Sequence, residues 1–172
     1  DLRGGTMGDG GGVTGRSLGD GGAGAGAGAA VSLAPTPLAD LDTFEGRAID
    51  RAMFKGNTTY FDFDRSTIKK SEMAKLAAVA EYLKTNPGHG LLIEGHCDER
   101  GTEEYNRALG ERRALSAREY IVNQGVGAER IRTISYGEDR PAVDGHDEAA
   151  WSKNRRAEYG LLAPAAEIGR AH

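Results

Sequence analysis

The chain has 172 residues, of which 28% are charged and 38% hydrophobic, and it carries a net charge of -4. That length holds one ordinary domain, or one domain with a tail, and the thin apolar share means that part of the chain adds little to a core. The mixture of signs excludes a nucleic-acid binder, which needs a basic face, and no apolar run approaches the ~20 residues that span a bilayer.

Residues 1–43 read as a flexible Gly/Ala-rich tether. Half of the 26 glycines fall in the first 30 positions, and no aromatic residue precedes Phe44. Such a segment cannot bury enough apolar surface to offset its ordering entropy. Its glycine-alanine alternation resembles a dinucleotide-binding loop only superficially, because no strand precedes it and no βαβ unit surrounds it. Nothing near Asp1 has the basic start and apolar stretch of a leader. The domain proper is expected at 44–162, with a flexible tail at 163–172.

Within residues 44–56, Phe44, Ile49, Met53 and Phe54 would pack on the domain edge as a short helix. Residues 58–63, rich in β-formers, predict a first strand that ends at Asp64. Ser71 is the expected cap of a helix over 72–85, with Met73, Leu76, Ala80 and Leu83 as its buried stripe; Asn86-Pro-Gly88 stops it. Residues 91–96 form the second strand. Thr102 caps the second helix, with Glu103 and Glu104 in its first turn, and Gly125 and Gly127 end it after about Asn123. Residues 131–136 form the third strand, a polar loop follows, and residues 155–162 form the fourth. The βαβαββ order implies an α/β (α+β) two-layer sandwich of helices on one sheet.

The chemistry concentrates around the second helix. Its positions Thr102, Asn106, Leu109 and Arg113 fall within roughly 60° of arc and share one stripe. Side chains lean toward a helix N-terminus, so Arg113 reaches back toward the loop that carries Asp98, where backbone N–H groups also favour anions. Two readings fit this spacing. In one, Arg113 forks onto the carboxylate of a small zwitterion while Asp98 takes its ammonium. In the other, Arg113 and Asp98 form a salt bridge that pins loop to helix.

Other chemistries are disfavoured. Cys97 is the only cysteine, which excludes an internal disulfide and a multi-cysteine zinc site. A metal cluster of His96 and Asp98 with Glu94, Cys97 or His146 is hindered because consecutive strand residues point to opposite faces. His96 is expected instead to hydrogen-bond the loop, and Cys97 to be a small, partly buried filler. A hydrolase built on Cys97 needs a histidine that adjacency denies to His96, leaving only His146. No catalytic residue, metal or cofactor is therefore expected.

The segment Ile93-Glu-Gly-His-Cys-Asp-Glu-Arg-Gly-Thr-Glu-Glu-Tyr-Asn-Arg-Ala-Leu-Gly-Glu-Arg-Arg-Ala114 resembles the signature of the OmpA C-terminal-like family. Tyr60-Phe-Asp-Phe-Asp64, Ser135-Tyr-Gly-Glu-Asp-Arg-Pro-Ala142, Gly145-His-Asp-Glu-Ala149 and Ser152-Lys-Asn-Arg-Arg-Ala157 extend the likeness over nearly all of 58–162. The resemblance implies a non-catalytic domain that binds the meso-diaminopimelate stem peptide of peptidoglycan. By position, Asp98 and Arg113 would hold that ligand. Asp64, Thr102 and the backbone at Leu109 would line the pocket, with Phe63, Gly101 and Asn106 beside it. It further implies TolB, and with it other Tol proteins, as partners in envelope integrity and outer-membrane constriction during division. Arg155 and Arg156 would belong to the TolB surface or, as favoured here, be solvated strand-end charges. The full-length protein would sit on the periplasmic face of the outer membrane through an N-terminal lipid. Replacing Asp98 or Arg113 by alanine would abolish wall binding and leave the fold intact.

Overall fold

In the computed structural model, the structure describes residues 43–164. The tether expected before Thr43 and the tail expected after Pro164 lie outside the described residues. Nine regular elements follow one another: β1 (Thr43–Phe44), β2 (Arg47–Asp50), β3 (Thr59–Tyr60), α1 (Met73–Thr85), β4 (Gly90–His96), α2 (Glu103–Asn123), β5 (Ile131–Gly137), α3 (Glu148–Asn154) and β6 (Arg156–Leu162). The sheet runs β1-β2-β6-β4-β5, and β3 also pairs with β6. Strand β4 is antiparallel to β6 and parallel to β5. This is the expected mixed α/β sandwich, with α1 and α2 against one face. None of the described helices is long and apolar enough to cross a membrane.

The core follows from two periodicities. Leu91 and Ile93 of β4 and Ala157, Tyr159 and Leu161 of β6 meet Leu76, Val79, Ala80 and Leu83 of α1. Ala114, Ala117 and Ile121 of α2 complete the cluster. The alternate positions face the other way, where Leu92 and Leu162 pack with Ile49. Helix α2 lies directly on β4: a Cβ added at Gly95 would come within 1.9 Å of the Gly110 carbonyl oxygen. Two glycines facing each other thus bring α2 down onto the central strand.

Several local expectations are corrected. Residues 44–56 form β1, β2 and, from Lys55, a 3-10 turn rather than a helix. Thr43 pairs with Ala48, and Ala163 N–H donates to the Ala48 carbonyl. The long first strand shrinks to Thr59–Tyr60, with Phe61 still donating to the Arg155 carbonyl. Beyond it the chain turns, Arg65 N–H bonding the Asp62 carbonyl and Asp64 adopting φ +60°. Ser71 does not cap α1. Glu72 precedes the helix and its carboxylate accepts from Tyr60 N–H, tying α1 to the end of β3. The polar loop contains a helix that the sequence reading missed, α3, capped by Asp147, whose side chain accepts from Ala150 N–H.

Candidate functional site

Three segments converge where β4 ends: the turn after β3, the loop 97–101, and the first turns of α2. They enclose a cavity of about 230 Å³ lined by Phe63, Asp64, Cys97, Asp98, Arg100, Gly101, Tyr105, Asn106, Leu109 and Arg113. Seven of the eight residues singled out from the sequence line it. Thr102 does not, because its hydroxyl is occupied capping α2, accepting from Tyr105 N–H at 3.1 Å. The loop is held by Cys97 N–H on the Gly137 carbonyl and by Asn106, whose amide donates to the Asp98 carbonyl at 3.4 Å and to Glu138 at 2.5 Å. Asn106 is thus a buried brace. Gly101 adopts φ +98°, which non-glycine residues rarely do, and this lets the loop enter α2.

The helical stripe does point Arg113 into the site, but its partners are not those expected. Arg113 is only 1% exposed. Its Nε donates to the Arg65 carbonyl at 2.8 Å, Nη1 to that of His96 at 2.9 Å, and Nη2 to that of Asp62 at 3.2 Å. Its guanidinium faces the Phe61 ring at 5.2 Å. No direct Arg113–Asp98 bridge forms among the described residues, so the loop-pinning reading is overturned. Arg113 instead ties the turn after β3 to the end of β4, which makes it structural as well as cavity-lining. A guanidinium has five donors, so two N–H groups remain beyond these three bonds. Burial lowers its pKa, opposed by the Cys97 and Asp98 charges.

Asp98 pairs with a residue the sequence reading gave no role. It accepts from Arg100 N–H at 2.9 Å and from the Arg100 guanidinium at 3.2 and 2.8 Å, with Arg155 at 3.6 Å. Burial alone would raise its pKa; the Arg100 hydrogen bonds and the Arg100 and Arg155 charges outweigh it and hold the carboxyl below its usual range. The Arg100 guanidinium lies between two rings, 3.9 Å from the centre of Phe63 and 4.0 Å from that of Trp151. Glu99 in turn holds the Trp151 indole N–H at 3.0 Å and His146 at 2.8 Å. At the far rim Tyr105 donates its hydroxyl to Asp64. Tyr105 and Trp151 carried no spacing signal. Both reach the site from positions that a polar, exposed stretch of sequence hides.

Three further expectations change. Arg155 and Arg156 are buried, not solvated. Arg155 bonds the Phe61 carbonyl and Glu148, while Arg156 bonds Glu158 and the carbonyls of Asn154 and Arg140. Cys97 is buried, with its thiol donating to the Asn106 carbonyl, and burial pushes its pKa up to about 11. His96 does not hydrogen-bond the loop through its ring. His96 is 2% exposed, its ring stacks on Tyr136 at 5.5 Å, and neither ring nitrogen has a partner among the described residues. Burial, reinforced by the charges of Arg156, Arg140 and Arg51, pushes its pKa down to about 2.

The cavity is thus backed by the sheet and walled by two carboxylates, Asp64 and Asp98, and two guanidiniums, Arg100 and Arg113. The chain belongs to the OmpA family, whose pattern matches residues 60–155. It is 50% identical over 115 residues to the peptidoglycan-associated lipoprotein of Haemophilus influenzae, covering 67% of this chain and 75% of that protein. To the peptidoglycan-associated lipoprotein of Pseudomonas aeruginosa it is 45% identical over 121 residues, 70% of this chain and 71% of that one. The crystal structure of the peptidoglycan-associated lipoprotein from Burkholderia pseudomallei superposes with a TM-score of 0.58 at 43% identity, covering 62% of this chain and 87% of that one. The C-terminal domain of Helicobacter pylori MotB, at 18% identity and a TM-score of 0.57 over 65% of this chain and 88% of that one, shares the fold. With that membership, the protein is not an enzyme.

Proposed function

We propose that the cavity binds the meso-diaminopimelate side chain of the peptidoglycan stem peptide without covalent chemistry, and that the domain thereby links the outer membrane to the cell wall. The observation that carries this is the convergence of Asp98, Asp64 and Arg113 on one small cavity. The free end of diaminopimelate has a carboxylate and an ammonium on one carbon. An anionic and a cationic wall suit that pair, and the two unused N–H groups of Arg113 are donors for its carboxylate. The names of the relatives agree with a wall ligand. On this reading the full-length protein is a lipoprotein on the periplasmic face of the outer membrane. It is the peptidoglycan-associated component of the Tol-Pal system, with TolB and other Tol proteins as partners in envelope integrity and division. TolB and wall then compete where their surfaces overlap.

Wall pulldown of Asp98→Asn against the parent tests the pocket. The substituted amide keeps the shape of the carboxylate and loses the charge that faces an ammonium, and a hydrogen bond to a charged group contributes about 1.5–3 kcal/mol. Binding should weaken by roughly 10- to 100-fold. Equal recovery of both proteins with the wall, at matched thermal stability, would place the ligand elsewhere.

A further inference from the structure

On the sheet face opposite the cavity's helix, β4 and β6 set two carboxylates directly across from each other, Glu94 opposite Glu158. Two residues along β4, on the same face, stands His96. Like charges directly opposite on neighbouring strands repel, and a polar ring as buried as His96 normally has partners. One ligand atom from each of the three side chains lies within 4.8 Å of the other two. We propose that Glu94, His96 and Glu158 form a binding site for a divalent transition-metal ion, zinc(II) by its donor set.

Both ring nitrogens of His96 lack partners among the described residues, so the ring offers an unused lone pair toward the carboxylates. Once Arg51 and Arg156 turn away, two carboxylates and a neutral imidazole match a dication, against the opposing charge of Arg140, which stacks on Tyr136 beside His96. One imidazole nitrogen selects zinc over magnesium or calcium, which prefer all-oxygen shells. Three protein ligands leave the fourth tetrahedral position to water. At present Arg51 forks onto Glu94 at 3.1 and 2.7 Å, and Arg156 holds Glu158 Oε2 at 2.5 Å. These arginines are the ion's competitors. Arg51, Arg156 and Glu158 all line an open cleft of about 480 Å³, which gives the ion its way in and the Arg51 side chain room to turn aside. The metal cluster weighed and disfavoured from the sequence was His96 and Asp98, two residues apart, with Glu94, Cys97 or His146. The register pairs His96 with β6 instead, and Asp98 belongs to the other face.

The test is calorimetric titration of the chelator-treated full chain with zinc chloride and, separately, magnesium chloride. One zinc per chain is expected, with no magnesium binding. Glu158→Gln, a partly exposed position where the fold should persist, weakens zinc at least tenfold, as does His96→Ala. Arg51→Ala releases Glu94 and tightens zinc several-fold. His146→Ala and Cys97→Ser leave it unchanged. Absence of zinc binding up to millimolar concentration, or zinc binding unaltered by Glu158→Gln, overturns the site. So does loss of binding in His146→Ala or Cys97→Ser. If His96→Ala does not fold, Glu158→Gln and Arg51→Ala decide.

Discussion

Replacing Arg113 by alanine should unfold the domain more readily, and the size of the effect follows from its three bonds. The side chain is 1% exposed and donates to the carbonyls of Arg65, His96 and Asp62. A hydrogen bond from a charged donor is worth about 1.5–3 kcal/mol. The bond to His96 is buried and counts in full, whereas those to Asp62 and Arg65 are partly buried and regain water in the variant. Relief of the desolvation of a buried guanidinium offsets part of the loss. The net cost is about 2–4 kcal/mol, a large fraction of the ~5–15 kcal/mol that holds a domain folded. At a urea dependence of ~2 kcal/mol per molar, the midpoint falls by roughly 1–2 M. Arg113→Lys keeps the charge but cannot fork, so it should recover less than half. Urea denaturation followed by circular dichroism measures both. An alanine variant whose midpoint matches the parent's would refute the reasoning that Arg113 pins the turn after β3 to β4.

Gly95→Ala should cost more than ~3 kcal/mol or prevent folding, because its methyl group would meet backbone, not a movable side chain, at 1.9 Å; soluble yield and thermal midpoint read this out. Stability in chelator should fall with pH below about 6.5: folded His96 stays neutral down to about 2 while unfolded His96 protonates near 6.5. The unfolded state then binds more protons as pH drops, at up to ~1.4 kcal/mol per pH unit. Urea midpoints of His96→Gln should flatten that slope; parallel profiles would count against a buried neutral ring. Iodoacetamide at pH 8 should leave native Cys97 unmodified for hours and label it at once in urea, since burial holds the thiol protonated to about 11.

The sheet and both long helices were legible because they rest on periodicity and on capping signals; helical spacing also marked Asn106, Leu109 and Arg113 and the loop acid Asp98, whereas Phe63, Asp64 and Gly101 were named only through the family resemblance. Leu76, Ala80 and Leu83 face the core as their spacing requires, and Thr102 caps α2 as its place before Glu103 requires. What failed depends on tertiary partners. Spacing aimed Arg113 correctly but could not show that three backbone carbonyls would satisfy it, since carbonyls have no sequence signature. Residues 58–63 have strand composition, yet pairing with β6 lasts only to Tyr60 before the chain turns through Asp64. Helix α3 has its cap, Asp147, but only seven residues, too few for an apolar stripe to stand out from the surrounding turns. Arg155 and Arg156 look like surface charges in one dimension; Arg155 is buried against the Phe61 carbonyl and Glu148 of α3, and Arg156 against Glu158 and the carbonyls of Asn154 and Arg140.

The central claim is that this cavity reads a centre bearing both a carboxylate and an ammonium. Calorimetric titration of the protein with a stem peptide containing meso-diaminopimelate, against the same peptide containing lysine, tests it most directly. The lysine peptide keeps the side-chain ammonium and lacks the second carboxylate. The first should bind at least tenfold more tightly than the second, roughly one charge-assisted hydrogen bond's worth. Equal affinities, or no binding of either peptide by folded protein, would contradict it.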